Sequence, residues 1–174
     1  MKKLHLYYLL TLLLFSFSNC KKDGSNSDNP YGLPNATQKG SMVFACRING
    51  QNRIAGSDII SQNGNISKDS ATVFAGFGDA YYFERVSLIA YGQVKINYSY
   101  TLGDSLQTRF LYDTDSTCNG ISSNVTFVHN AYGTITFTRL DSVNKIISGN
   151  FSFKVPMPGC DTLNFTDGRF DVRY

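Results

Sequence analysis

A chain of 174 residues, 42% of them hydrophobic, is long enough to form one domain with its own core. Its 13 Phe and 11 Tyr, without any Trp, favour strands over helices. The formal net charge is +3, and removal of Lys2 and Lys3 with the segment described next leaves +1, which lacks the basic footprint of a nucleic-acid-binding protein.

The first predicted element is a signal peptide over residues 1–19. Lys2 and Lys3 form its positive start, and an apolar stretch of 13 residues follows from Leu6 to Ser18. Such a stretch is too short to span a bilayer comfortably. A plain secretory signal and a short membrane anchor are the alternatives.

Cys20 stands where the apolar sequence stops and Lys21-Lys22-Asp23 begins. A cysteine at this junction resembles the lipobox cysteine of bacterial lipoproteins. The resemblance implies cleavage before Cys20, a diacylglyceryl group on its thiol and an acylated amine. Two or three such chains anchor a protein stably, because each buried CH₂ contributes about 0.8 kcal/mol. We therefore expect a palmitate-type anchor in the bacterial cell envelope, at the outer membrane, with the periplasmic and surface faces both open.

Residues 20–41 are predicted to comprise the lipidated cysteine and a flexible tether. The stretch after Cys20 is rich in Gly, Asn, Ser, Pro and Lys, with too few apolar residues to offset the entropy of ordering it. A coil of about 20 residues has a mean reach of roughly 25 Å. This reach would hold a folded domain just clear of a membrane surface.

A single all-β domain is predicted over residues 42–174. Phe44, Cys46 and Ile48 alternate with other residues, and the following Asn49-Gly50 is typical of a tight turn between two strands. Gly, Asn, Asp or Ser separates most of the further β-rich runs, at 71–78, 85–92, 95–102, 108–112 and 124–129.

The C-terminal third has the most regular alternation. Gly133–Leu140 and Ile146–Val155 flank a polar turn, which predicts a hairpin with one apolar and one polar face. Asp161–Phe165 and Arg169–Tyr174 predict a last pair of strands around a turn at Thr166-Asp167-Gly168. About nine to eleven short strands in total predict an antiparallel β-sandwich or a small barrel-like sandwich.

Three segments of the chain resemble a known family: FACRINGQNRIAG, GTITFTRLDSVNKIISGNFSF and the terminal TDGRFDVRY. They are similar to small cell-envelope lipoproteins of Bacteroidota, a family known only as a domain of unknown function. The resemblance covers most of the mature chain. It implies an envelope lipoprotein with a β-rich fold, and it implies no activity or substrate.

Lipidation of Cys20 leaves three cysteines for the domain, so not all of them can pair with one another. Cys46 is in phase with Phe44, which predicts a buried thiol that acts as a small apolar side chain. Cys118 and Cys160 lie in turn-rich segments, and an oxidising envelope permits a disulfide between them. Two free thiols or a bridge to Cys46 are the alternatives. No Cys/His spacing supports a metal site, and we expect no cofactor.

Candidate catalytic residues are few. His129 is the mature chain's one histidine, and its place at a strand end favours an ordinary surface role. Carboxylate pairs for glycoside hydrolysis would be Asp79 with Glu84 or Asp104 with Asp113, and nothing in the sequence sets either separation. We therefore predict no catalytic site and no enzyme, with a secreted-type glycan hydrolase as the alternative.

Aromatic residues are the best candidates for a binding surface. Tyr81, Tyr82 and Phe83 follow a Gly-Asp turn, and a flat ring with a polar group suits a sugar or a partner protein. Tyr98 and Tyr100 follow Ile96 at intervals of two residues and so share its inward phase, and we expect both to fill the core. The sequence thus predicts a membrane-anchored, non-enzymatic domain that binds a glycan or protein partner or has a structural role.

Overall fold

The computed structural model describes residues 31–56, 62–78, 83–102, 108–114, 117–118, 121–122, 131–157 and 160–174. The fold below is that of the compact unit Leu33–Tyr174. The predicted signal peptide, Cys20 and the first part of the tether lie outside the described residues.

The prediction of an all-β domain is confirmed. The described residues form twelve strands and no helix, and ten of the strands have at least four residues. In chain order they are β1 Val43–Ile48, β2 Gln51–Ile54, β3 Gln62–Ile66, β4 Ser70–Gly78, β5 Phe83–Tyr91, β6 Ser99–Leu102, β7 Thr108–Thr114, β8 Thr117–Cys118, β9 Ile121–Ser122, β10 Tyr132–Asp141, β11 Ile146–Val155 and β12 Leu163–Arg173.

Two antiparallel sheets pack together as a sandwich. Sheet A has six strands in the order β2-β1-β12-β11-β10-β6, and sheet B has four in the order β3-β4-β5-β7. The short β8 and β9 form a separate pair. Both predicted hairpins are confirmed, since β1 pairs with β2 and β10 with β11. Asn49 and Gly50 both have positive φ, 49° and 81°, as a two-residue turn of the type I′ requires.

The core between the sheets is dominated by phenylalanine. Phe44 and Phe137 are fully buried and Phe170 is 1% exposed. The Phe170 ring centroid lies 5.7 Å from that of Phe137 and 6.3 Å from that of Phe44. Leu88 and Val73 contribute buried side chains from sheet B. Because the chain has no Trp, phenylalanine rings are the largest side chains that fill this core.

Strand β12 runs without a break through Thr166-Asp167-Gly168, so the predicted turn at this place is wrong. Phe151 pairs with Gly168 while Phe153 pairs with Phe165, so two residues of β12 stand opposite Ser152 alone, and this one extra residue makes a bulge. Asp167 has a φ of 54°, a value that a turn residue would also adopt. Pairing with β1 and β11 on both sides of the bulge keeps the strand continuous.

The compact unit begins at Leu33, whereas the sequence placed the start of the domain at residue 42. Leu33 is 3% exposed, and the backbone of residues 39–41 donates hydrogen bonds to Asp171 of β12. We call residues 33–41 the strap. Its contacts are made mainly by backbone groups, which a reading of apolar side chains does not detect.

Candidate binding groove on sheet A

An open groove lies on the outer face of sheet A, the face turned away from sheet B. Its volume is about 300 Å³, which is at the lower end of the range for small-molecule sites. Neighbouring strands β10, β11 and β12 supply all of its lining residues, Thr134, Thr136, Asn150, Phe151, Ser152, Asp167, Gly168 and Arg169.

The register of the sheet brings the polar side chains of the groove together. Thr134 pairs with Ser152, Thr136 pairs with Asn150, and Asn150 pairs in turn with Arg169. Directly opposed residues on one face of a sheet have Cβ atoms about 4.5–5.5 Å apart. The polar face predicted for the C-terminal hairpin therefore lines the groove from β10 and β11, and β12 contributes the remaining lining residues.

The bulge in β12 presents a carboxylate to the groove. Asp167 is exposed, and its φ of 54° is uncommon for a residue other than glycine. Bulges of this kind re-aim side chains and occur often beside active sites. Gly168 is required next to it, because a Cβ there would lie 2.4 Å from a ring carbon of Phe151 and 2.5 Å from its carbonyl oxygen.

Tyr132 places an exposed aromatic ring on the same outer face as the groove, and sequence reasoning missed it. It is 53% exposed and lies two residues before Thr134 on β10, so both side chains are on the outer face. Tyr132 shares the phase of Thr134 and Thr136 and is out of phase with the buried Ile135 and Phe137. This pattern in the sequence could have identified Tyr132 as an outward-facing residue.

The predicted aromatic surface is only partly within the described residues. Tyr81 and Tyr82 lie outside them, and Phe83 begins β5 with a side chain that is not among those described. Tyr100 is 5% exposed, which confirms its predicted place in the core. Tyr98 is 52% exposed, so that prediction is wrong, because β6 begins only at Ser99 and the alternation does not extend before it.

A buried carboxylate joins the two sheets at another place. Glu84 of β5 is 2% exposed, and its Oε1 accepts a hydrogen bond from the Tyr112 hydroxyl at 2.5 Å. Its Oε2 accepts one from Arg53 Nε of β2 at 3.2 Å. A carboxylate buried and bound in this way holds the strands together and is not open to a substrate. The side chains of Asp79, Asp104 and Asp113 lie outside the described set.

Cys46 is free and fully buried, as its shared phase with Phe44 and Ile48 predicts. Burial raises the pKa of its thiol to about 12, and the nearby Glu84 carboxylate adds to the rise while Arg53 opposes it. A thiol with such a pKa is a packing group rather than a nucleophile.

We expect Cys46 in the native protein to resist alkylation by iodoacetamide at pH 8. With a pKa of about 12, only about one thiol in 10⁴ is ionised at that pH, and its burial blocks access as well. Peptide mass spectrometry with and without guanidinium would measure this. Equal rates of labelling in the native and the unfolded chain would contradict the assignment.

Cys160 takes part in a disulfide, so the alternative of a free thiol is wrong for this residue. A bridge to Cys46 is also wrong, because Cys46 is free. The side chain of Cys118 lies outside the described residues, and its pairing with Cys160 stays a prediction.

The fold and the groove together define an antiparallel β-sandwich with an open polar groove on the outer face of its larger sheet. No protein-family model, curated protein or solved structure matches the chain. Among the described residues, no His, Cys, Asp or Glu side chains form a group of three that could hold a metal ion. The same residues include no helix long and apolar enough to cross a membrane.

Proposed function

We propose that the chain is a lipid-anchored, non-enzymatic domain of the bacterial cell envelope that binds a glycan in the groove of sheet A. The observation that carries this proposal is the set of polar side chains that three adjacent strands hold along an open groove.

The chemistry of the groove matches that of a sugar. Thr134 and Thr136 carry hydroxyl groups that both donate and accept hydrogen bonds, and the Asn150 amide does the same. Asp167 accepts and Arg169 donates. A glycan presents neighbouring hydroxyl groups with the same dual character, so each can find a partner. Because the side chains stand on paired strands, little further ordering is needed on binding.

Tyr132 supplies the apolar contact that polar groups alone do not. A sugar ring has a face of C–H groups that packs on an aromatic ring, while the ring hydroxyls point to polar neighbours. Tyr132 is 53% exposed beside Thr134, so its ring is open to such a contact.

A glycan hydrolase is the alternative, and the groove favours it less. Hydrolysis needs two carboxyl groups on either side of the bond, about 5 to 9.5 Å apart. Among the described residues that line the groove, Asp167 alone carries a carboxylate. Glu84 is buried between the sheets and bound by Arg53 and Tyr112. Binding without turnover therefore accounts for the groove more simply.

Lipidation of Cys20 is tested by labelling growing cells with a clickable palmitate. We expect the label on the wild-type chain and no label on Cys20→Ala, which should also leave the membrane fraction, because the acyl chains supply the membrane affinity. Incorporation and fractionation unchanged in Cys20→Ala would show that the chain is not a lipoprotein of this kind.

Glycan binding is tested with residues 21–174 on a glycan array. We expect a defined set of sugars to bind, and Asn150→Ala to weaken their binding about 3- to 10-fold through the loss of one or two hydrogen bonds. Asn65→Ala is the matched control, since Asn65 is an exposed strand residue on sheet B. An array without signal, or equal binding by the two variants, would point instead to a structural or protein-binding role.

A further inference from the structure

The strap is bound by one buried carboxylate, that of Asp171. This side chain is 1% exposed and accepts five hydrogen bonds, three of them from consecutive backbone N–H groups. The donors are the Thr37 hydroxyl, Lys39 N–H at 3.0 Å, Gly40 N–H at 2.9 Å, Ser41 N–H at 2.9 Å and the Ser148 hydroxyl at 2.6 Å. Successive N–H groups that converge on one anion form a nest, and here the anion is the Asp171 side chain of the same chain.

Three arginines of sheet A hold the carbonyl groups of the same strap. They are Arg139, Arg169 and Arg173, on β10 and β12. Arg173 donates to Gly40 O at 3.1 Å and Lys39 O at 3.2 Å, Arg139 donates to Gln38 O, and Arg169 donates to Pro34 O at 3.1 Å. The backbone of the strap is therefore bound through both its donors and its acceptors.

Burial on the outer face of sheet A marks the area that the strap covers. Ala45, Ser148 and Asp171 point away from the core but are at most 1% exposed. Ile146, two residues before Ser148, is also on this face and is 4% exposed. Gly40 packs closely against this area, since a Cβ there would lie 3.1 Å from Ile146 Cγ1 and 2.6 Å from Arg173 Cγ.

Arg169 connects the strap to the groove. Its Nη1 donates to Pro34 O of the strap at 3.1 Å, and its Nε donates to Asp167 O in the bulge at 3.2 Å. The same side chain lines the groove. One planar guanidinium thus joins the edge of the strap to the strained residue that carries the groove carboxylate.

We propose that the strap is a positioning element of the binding groove. Its attachment to Asp171 holds Arg169, and Arg169 in turn holds the Asp167 bulge in the geometry that the groove offers to a ligand. Attachment of the strap and binding in the groove are then linked, and each favours the other. The ligand rests on the proposed function, but the link between strap and bulge is tested without any ligand.

Trypsin cleavage after Lys39 reports attachment of the strap. The Lys39–Gly40 bond has its carbonyl bound by Arg173 and its N–H bound by Asp171, so cleavage requires local opening. We expect Asp171→Asn and Gly40→Ala to speed this cleavage about 10-fold or more. Cleavage after the exposed Lys95 is the internal control and should not change. Gly40→Ala changes no residue of β12, so it serves if Asp171→Asn does not fold.

A tryptophan placed in the groove reports the bulge, because the chain has no Trp of its own. Ser152→Trp lies opposite the bulge, and Ser87→Trp on β5 of sheet B is the matched control. When Gly40→Ala is added to each tryptophan variant, we expect acrylamide quenching of the Ser152→Trp reporter to rise about twofold and that of the Ser87→Trp control to stay constant. Arg169→Lys should produce the same rise, since lysine keeps the charge but lacks the planar fork that joins two carbonyls.

Two results would overturn the proposal. One is rapid cleavage after Lys39 in the wild-type chain, which would mean that the strap is not attached. The other is fast cleavage in Gly40→Ala with no change in the Ser152→Trp signal, which would mean that the strap and the groove are independent. Neither result depends on a glycan, so both are distinct from a failure of the proposed function.

Discussion

Phe170→Ala is expected to lower the free energy of unfolding by about 3–5 kcal/mol. The ring is 1% exposed and lies between three other phenylalanines, with centroid distances of 5.7 Å to Phe137, 6.3 Å to Phe44 and 6.4 Å to Phe151. Because β12 is paired with a strand on each side, the backbone cannot move in to fill the space left by the ring. The lost burial and the remaining cavity both destabilise the fold.

Urea unfolding followed by circular dichroism measures this loss. Phe74→Ala is the matched control, because Phe74 is a half-buried residue on β4 of sheet B, alternating with the buried Val73 and Ala75. We expect this control to cost about 1.5 kcal/mol or less, since less apolar surface is exposed by the change. Equal losses in the two variants would show that the core is not centred on Phe170.

Stability is also expected to fall between about pH 4 and pH 2 as Asp171 is protonated. Burial by itself raises the pKa of this carboxyl, but the hydrogen bonds from Ser148, Thr37, Ser41 and Gly40 outweigh it and lower the pKa from 3.8 to about 2. The folded chain therefore binds this proton more weakly than the unfolded chain does. The stabilisation is complete above pH 4 and is lost as the pH falls through 2, and a difference of this size corresponds to about 2.5 kcal/mol.

Asp171→Asn should remove this pH dependence and cost about 2–4 kcal/mol at pH 7, because an NH₂ group replaces one acceptor oxygen and faces the hydrogen-bond donors of the strap. Thermal unfolding at a series of pH values, compared between this variant and the wild type, measures both effects. Asp141 is the comparison: hydrogen bonds from the Asn144 backbone and side chain, and then from Arg139, also lower its pKa, and Arg139 links it to Gln38 O of the strap, whereas Asp171 binds the strap directly. A wild-type pH profile that survives in Asp171→Asn and is lost in Asp141→Asn would contradict the assignment to Asp171.

The local sequence pattern predicts part of the groove and misses the rest. Alternation in the C-terminal hairpin predicts that Thr134, Thr136, Asn150 and Ser152 share one polar face, and they do. It does not reveal that β12 lies beside β11 and adds Asp167 to that face. Which strand becomes the neighbour depends on long-range pairing, and no local property of the sequence encodes it.

The burial of Asp171 and Ser148 is likewise not predicted by the local sequence pattern. Asp171 and Ser148 each stand next to a core residue, Phe170 and Ile147, and this phase places them on the outer face of sheet A. They are buried because the strap, more than a hundred residues away from them in the chain, lies over them. The composition of the strap suggested a tether, because backbone groups that bind a carboxylate leave no trace in composition.

The sequence by itself determined the all-β class, the two hairpins and the apolar faces, because strand alternation and tight turns are set by neighbouring residues. It also marked Cys46 and Tyr100 as buried through their phase. Only the tertiary structure decided that 166–168 is a bulge inside one strand, that the domain starts at Leu33 and that three strands make a groove. Each of these depends on which distant segments pair, and that choice reflects the packing of the whole core and the satisfaction of buried polar groups rather than any local pattern.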